Sequence, residues 1–224
     1  MRRKWWPCGR QARRDSSLAD SYEQNETQRI EAFSDGVFAI AITLLIIEIA
    51  VPHVGGDESL GKALREEWPS YFAYVLSFIT IGIYWANHHS FFKLFHHVDH
   101  GFLMLNVFFL MTIAFLPFPT AVLAEYMEHA DQRQAAIAFY TLGLLLPAVA
   151  WFSLWAWANF RELVVHDLDP GYRRFLTRQY LASNLIYAGA FVLSFINEWA
   201  ALALCTGITA LYLLPPRRPV FVGG

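Results

Sequence analysis

Six long apolar blocks, parted by short polar or proline-bearing breaks, follow one another between residues 33 and 214. The first, residues 33–51, would span roughly 28 Å as a helix at 1.5 Å per residue, enough to cross the hydrocarbon core of a bilayer. The pattern predicts the others at 68–92, 101–123, 134–159, 175–196 and 199–214, the last stopped by Pro215-Pro216. Pro52-His53 and Gly55-Gly56-Asp57 mark a short polar loop after the first block. Only Asn197-Glu198 part the last two, which predicts a tight antiparallel hairpin. The two halves share no pattern, so an inverted repeat is not supported.

The first block is the least uniform. Arg29 and a polar knot, Ser34-Asp35-Gly36, precede a run that stays almost free of polar groups until Glu48. An aspartate in the first turn of a membrane helix must find a partner; left alone it costs on the order of 3 kcal/mol. Gly36, Ile40, Thr43, Leu44 and Ile47 recur at steps of three and four, so they fall near one face. Such a stripe can line a pore or pack against another helix, and spacing alone favours packing.

Composition sets the class. Of 224 residues, 56% are hydrophobic and 16% charged, against about 25% charged in soluble domains. With the apolar residues in long blocks, this is an all-α integral membrane protein with six predicted spans. The placement of Lys and Arg then orients it. Arg2, Arg3, Lys4, Arg10, Arg13, Arg14, Arg29, Lys93, Arg161, Arg173, Arg174, Arg178, Arg217 and Arg218 fall on one side; only Lys62, Arg65 and Arg133 fall on the other. The positive-inside rule puts both termini in the cytosol. The outer loops carry Asp57, Glu58, Glu66, Glu67, Glu125, Glu128 and Asp131, a mildly acidic face. Residues 1–28 lack the apolar run of a signal peptide, because Trp5-Trp6-Pro7 leads only into more charge. They read as a disordered basic cytosolic tail whose arginines can reach anionic headgroups, or simply as a solvated orienting tail.

Polar groups inside the blocks are few: Asp35, Glu48, Asn87, His88, His89, Asn106, Ser183, Asn184 and scattered hydroxyls. No nucleophile elbow, P-loop or His-Glu-x-x-His pattern is present, which disfavours an enzyme. His88 and His89 are adjacent and point to different faces. His96 and His100 have i, i+4 spacing without a Cys or Glu to complete a zinc site, so hydrogen bonding is preferred to metal and no cofactor is implied. Cys8 and Cys205 are too far apart in the topology to pair. Arginines at voltage-sensor spacing and a Thr-Val-Gly-Tyr-Gly carbonyl filter are both missing, so any ion pathway must be narrowed by side chains. In Trp85-Ala86-Asn87-His88-His89 the polar groups lie at the depth of Ser34 and Asp35 and are natural partners for that carboxylate.

Arg29-x-x-x-Phe33-Ser34-Asp35-Gly36 at the cytosolic start of the first span resembles the signature of the endosomal and lysosomal potassium channel family. The segments Tyr84-Trp85-Ala86-Asn87-His88-His89 and Phe115-Leu116-Pro117-Phe118-Pro119-Thr120 extend the likeness. It covers most of the chain from residue 29 onward and is similar in particular to the bacterial and archaeal branch, with one six-helix unit per chain. The resemblance implies a homotetramer in the cell membrane whose first helices line a central pore, with residues 29–214 as channel domain and 215–224 as a short cytosolic tail. It implies passive, modestly selective passage of potassium and other monovalent cations. Ile40 would be the tightest ring, Leu44 and Ile47 further apolar rings, and Thr43 a layer linked to potassium preference. Arg29, Ser34 and Asp35 would tie the helix to its neighbours, with Asn87 or His88 as partners. With that likeness, the preference for simple packing reverses. A secondary transporter or a non-transporting scaffold remains the alternative; Pro117, Pro119 and Pro147 are the only interruptions a transporter could use.

Overall fold

The computed structural model describes residues 29–55, 59–215, 217 and 219–221. The tail expected at 1–28, and residues 216, 218 and 222–224 of that expected at 215–224, lie outside the described residues. Among the described residues there are eight helices: α1 Arg29–Glu48, α2 Leu60–Glu66, α3 Trp68–Phe92, α4 His100–Phe115, α5 Pro117–Tyr126, α6 Arg133–Phe160, α7 Pro170–Ser194 and α8 Glu198–Tyr212. No strand forms among the described residues, only the isolated bridges Phe95–Val164 and Leu168–Phe221.

Among the described residues, four helical stretches are long and apolar enough to cross a membrane: α1, α3, α4 with α5, and α6. α7 has 25 residues, but its first turns carry Arg173, Arg174 and Arg178. α8 is apolar throughout its middle but only 15 residues long. The two form the expected hairpin, turned by residues 195–197 and capped where the Asn197 side chain accepts from the Ala200 amide at 3.0 Å.

Several boundaries differ from the sequence expectation. α1 ends earlier than residue 51: its last turn, Leu45–Glu48, is 3-10 and Ile49 is extended at φ −86°, ψ 102°. Pro52 bars a helical Val51, and the tightened turn closes the helix ahead of it. The loop before α3 is not wholly irregular, because Ser59 caps the short helix α2 by accepting from the Lys62 amide. The third apolar block is two helices. Pro117 and Pro119 have no amide hydrogen to donate, so the α4 ladder ends at Leu116, whose amide reaches Ile113 O at 3.1 Å. α7 begins five residues before the expected 175, with Asp169 accepting from the Tyr172 amide at 2.7 Å. α6 runs unbroken through Pro147.

Aromatic rings fill the centre where α3, α4, α6 and α7 meet. Phe91 lies 4.5 Å from Trp151 and 4.8 Å from Phe95; Phe109 lies 5.2 Å from Trp151. Such pairs add about 0.5–1.5 kcal/mol each beyond area burial. Below this cluster the α3–α4 and α6–α7 connections are tied together: the His96 amide donates to Leu163 O at 3.2 Å and the Val165 amide to Leu94 O at 2.9 Å. His96 therefore sits in a loop, and its i, i+4 relation to His100 along one helix does not exist.

Asp99 holds that corner. Its carboxylate accepts from the Phe102 amide at 2.7 Å, capping α4, from Trp157 Nε1 at 2.9 Å and from Arg161 Nε at 3.1 Å. Partial burial pushes the carboxyl up, but these three donors and the Arg161 charge outweigh it and hold it below the usual carboxylate range. A pKa lower in the folded than in the unfolded state stabilises the protein above the unfolded value, and that contribution fades as pH falls through the folded one. In detergent melts, wild type should therefore exceed Asp99→Asn at neutral pH, and the gap should close below about pH 4. Asn caps as well as Asp, so a gap unchanged between neutral pH and pH 3 would show that charge plays no part.

Candidate functional site

α1 has two unlike faces. Ser34, Phe38, Ala41 and Leu45 recur at steps of three and four and are all but fully enclosed. Phe38 stands edge-on to the His88 ring of α3 at 5.4 Å and 6.1 Å from Phe109 of α4. Leu45 seats the last turn of the helix beside α3 and α5. The opposite face is bare: Ile40 is 61% exposed, Leu44 41% and Ile47 71%. A Cβ added at Gly36 would meet nothing within 4 Å, so that residue fronts open space. Thr43, also exposed, spends its hydroxyl proton on Ala39 O and Ile40 O, both at 2.9 Å, leaving its oxygen lone pairs as the acceptors it can offer.

A polar chain pins the covered face. Asn106 of α4 donates from Nδ2 to Ser34 Oγ at 3.2 Å, and Ser34 donates to Ile30 O at 2.8 Å. His88 Nε2 donates to Asn106 Oδ1 at 3.1 Å. Ser34, His88 and Asn106 are all buried, so the chain links α1, α3 and α4 in a setting where an unmade bond is expensive. At the helix start, Trp85 Nε1 donates to Asp35 Oδ1 at 3.0 Å and His89 Nδ1 lies 3.6 Å from Glu31 Oε2.

Of the five residues expected in a polar network, Ser34 and His88 meet through Asn106. Asp35 takes Trp85 as partner, not His88 or Asn87. Asn87 turns back to donate to Ile83 O at 2.8 Å on its own helix. Arg29 is exposed and makes no hydrogen bond or ion pair among the described residues. Trp85 lies in the segment expected to partner Asp35, though Asn87 and His88 were the residues preferred within it; Asn106 and the Glu31–His89 contact were not assigned from sequence. Asn106 did carry a signal, as the lone amide in the run Leu103–Thr112, but its partners lie 18 and 72 residues away.

At the far end of the bare face, Glu48, Glu67 and Glu125 border a shallow hollow of about 350 Å³. Three carboxylates there give this end of the stripe a local negative field, of the kind that concentrates cations.

The family model described as endosomal/lysosomal potassium channel TMEM175 matches residues 29–117, from the first residue of α1 to the start of α5. A potassium channel of Chamaesiphon minutus is 42% identical over 203 residues, covering 87% of this chain and 97% of that one. The chain belongs to the TMEM175 family. A potassium channel of Streptomyces collinus is 43% identical over 190 residues, covering 84% of this chain and 91% of its own length. The fold agrees as well. The crystal structure of a lysosomal potassium-selective channel TMEM175 homologue from Chamaesiphon minutus superposes with a TM-score of 0.73 at 40% identity, covering 85% of this chain and 97% of that one. TMEM175 proteins are membrane ion channels, not an enzyme class, and matches over nearly the whole of the bacterial relatives agree with a single repeat per chain. The segment matched by the TMEM175 model holds all of α1 and the whole Ser34–Asn106–His88 chain.

Proposed function

We propose that this chain is a passive, modestly selective potassium-permeable cation channel of the cell membrane, narrowed by apolar side chains instead of a carbonyl filter. The observation that carries the reading is the bare stripe of α1. Gly36, Ile40, Thr43, Leu44 and Ile47 are left uncovered while the opposite face of the same helix is buried. A single stripe cannot enclose a pore, so symmetry must supply the other walls, and closed rings are the common solution. In a homotetramer, Ile40 forms the tightest ring, Leu44 and Ile47 the rings beyond it, and Thr43 the one layer of oxygen acceptors. An apolar ring of this kind conducts while wetted and closes by dewetting.

In this reading α7 and α8 complete six spans, α8 crossing as the short arm of its hairpin. Residues 1–28 and 215–224 lie in the cytosol, as the basic side requires. Ser34, Asp35 and His88 hold the helix and do not touch the ion; Arg29 faces the anionic inner surface, and Asn87 serves its own helix. The acidic hollow at Glu48, Glu67 and Glu125 becomes the outer mouth.

Purified protein in liposomes under an outward potassium gradient tests this. Passive, non-saturating potassium flux that needs no second ion is expected, with slower sodium flux. Saturable flux requiring a coupled ion would make it a secondary transporter, and protein that moves no ion at all would be a scaffold.

A further inference from the structure

Away from α1, the helices α3, α6, α7 and α8 enclose a cavity of about 800 Å³ that the channel reading does not use. That volume is in the range of small-molecule sites, about 300–1,000 Å³. Its walls are apolar for most of their extent, with Phe91, Trp151, Leu176 and Ile208 among them. Ile186, Leu211 and Leu214 also line it and are 36%, 60% and 63% exposed, so the cavity opens onto the apolar flank of α7 and α8, where lipid chains lie.

One end is different. Ser90, Gln179 and Arg217 line the cavity beside the first turns of α7 and the end of α8. Ser90 and Gln179 make no side-chain hydrogen bond among the described residues. The Arg217 guanidinium lies 4.7 Å over the Phe175 ring, and Tyr172 Oη holds its backbone by donating to Arg217 O at 3.1 Å. No carboxylate pairs with Arg217, Arg174 or Arg178 among the described residues. Of these arginines only Arg217 lines the cavity, so its polar end carries one guanidinium with no paired carboxylate among the described residues, beside Ser90 and Gln179, while its depth is greasy. A fork of guanidinium donors suits a phosphate, and basic side chains at the inner surface draw anionic lipids.

We propose that this cavity binds one anionic glycerophospholipid of the inner leaflet, with an acyl chain between α3, α6 and α8 and the phosphate at Arg217. The inner-leaflet assignment rests on the placement of the basic side in the cytosol proposed above. α3 presents Asn87 and Phe91 to this cavity and His88 to the chain that holds α1, so the bound lipid braces the helix that carries the bare stripe.

Tryptophan quenching by phospholipids brominated on the acyl chain tests it, because Trp151 lines the cavity. Protein in detergent micelles is titrated with brominated phosphatidylglycerol or brominated phosphatidylcholine, and Trp151→Phe identifies the Trp151 signal. Phosphatidylglycerol is expected to quench Trp151 at roughly fivefold lower mole fraction than phosphatidylcholine, the scale of one basic residue acting on an anionic lipid. Arg217→Gln should abolish that preference while leaving the elution volume unchanged. Ala182→Phe, which narrows the cavity from an exposed position, should weaken quenching by both lipids. Equal quenching by the two lipids in wild type would overturn the phosphate site. Trp151 left unquenched by either, as a closed cavity or a neighbouring copy of the chain seated on this flank would give, would overturn the lipid altogether. Micelles surround the protein on all sides and the readout involves no flux, so a wrong orientation or a non-conducting protein leaves this result untouched.

Discussion

Ile40→Asn is expected to raise potassium flux in liposomes about tenfold or more and to erode the preference over sodium. In the proposed tetramer, a ring at Ile40 resists ions because it offers a dehydrating cation nothing in exchange for water. A polar group at such a place is worth on the order of 1–3 kcal/mol, and about 1.4 kcal/mol off a barrier is tenfold in rate. An amide per subunit keeps the constriction wet and supplies oxygen acceptors to potassium and sodium alike, which is why rate rises as selectivity falls. Leu45→Asn is the control, five residues on but fully enclosed on the covered face. It buries an amide without a partner and should lower yield and melting temperature without adding flux. If Ile40→Asn, eluting as wild type does, moves both ions at unchanged rates, the bare stripe is not the pathway.

The second large effect is on stability. Asn106→Leu unpairs the buried His88 ring and takes a donor from Ser34; His88→Leu leaves the Asn106 carbonyl oxygen unsatisfied. Each should cost about 1–3 kcal/mol in detergent melts, since a buried polar group that loses its partner keeps its desolvation penalty. Combining them removes both halves of the pair, so the double variant should be destabilised by less than the sum of the singles. The coupling should reach about 1 kcal/mol, above the average of about 0.6 for interhelical hydrogen bonds in membranes, because His88 and Asn106 are almost fully enclosed. Strict additivity in the cycle would mean that the 3.1 Å contact does not hold α3 to α4.

Much of the architecture was legible from periodicity. The block at 68–92 is α3 to the residue, and the block at 134–159 falls one residue short of α6 at each end. Long helices with apolar interiors announce themselves because burial in lipid or protein demands a continuous apolar run. Short or mixed elements did not. α2 has only 7 residues, and the start of α7 is masked by Gly171, Arg173 and Arg174, which read as loop until the Asp169 cap is seen. The break at Leu116 was half legible: the prolines were visible, yet a proline can also be absorbed, as Pro147 is inside α6.

Sequence by itself determined which residues share the stripe from Gly36 to Ile47, because the helical repeat decides which side chains lie in a row. It also determined the basic and acidic ends of the spans and the family signature from Arg29 to Gly36. Tertiary structure alone decided which row is covered. Phe38, Ala41 and Leu45 are as apolar as Ile40, Leu44 and Ile47, and nothing in their spacing says which set meets α3, α4 and α5. Partner choice was decided there as well. Asp35 lies 50 residues from Trp85, and Ser34 lies 72 from Asn106. A repeat of 3.6 residues orients a side chain about its own axis, but which neighbour it meets depends on where the connections return the next helix.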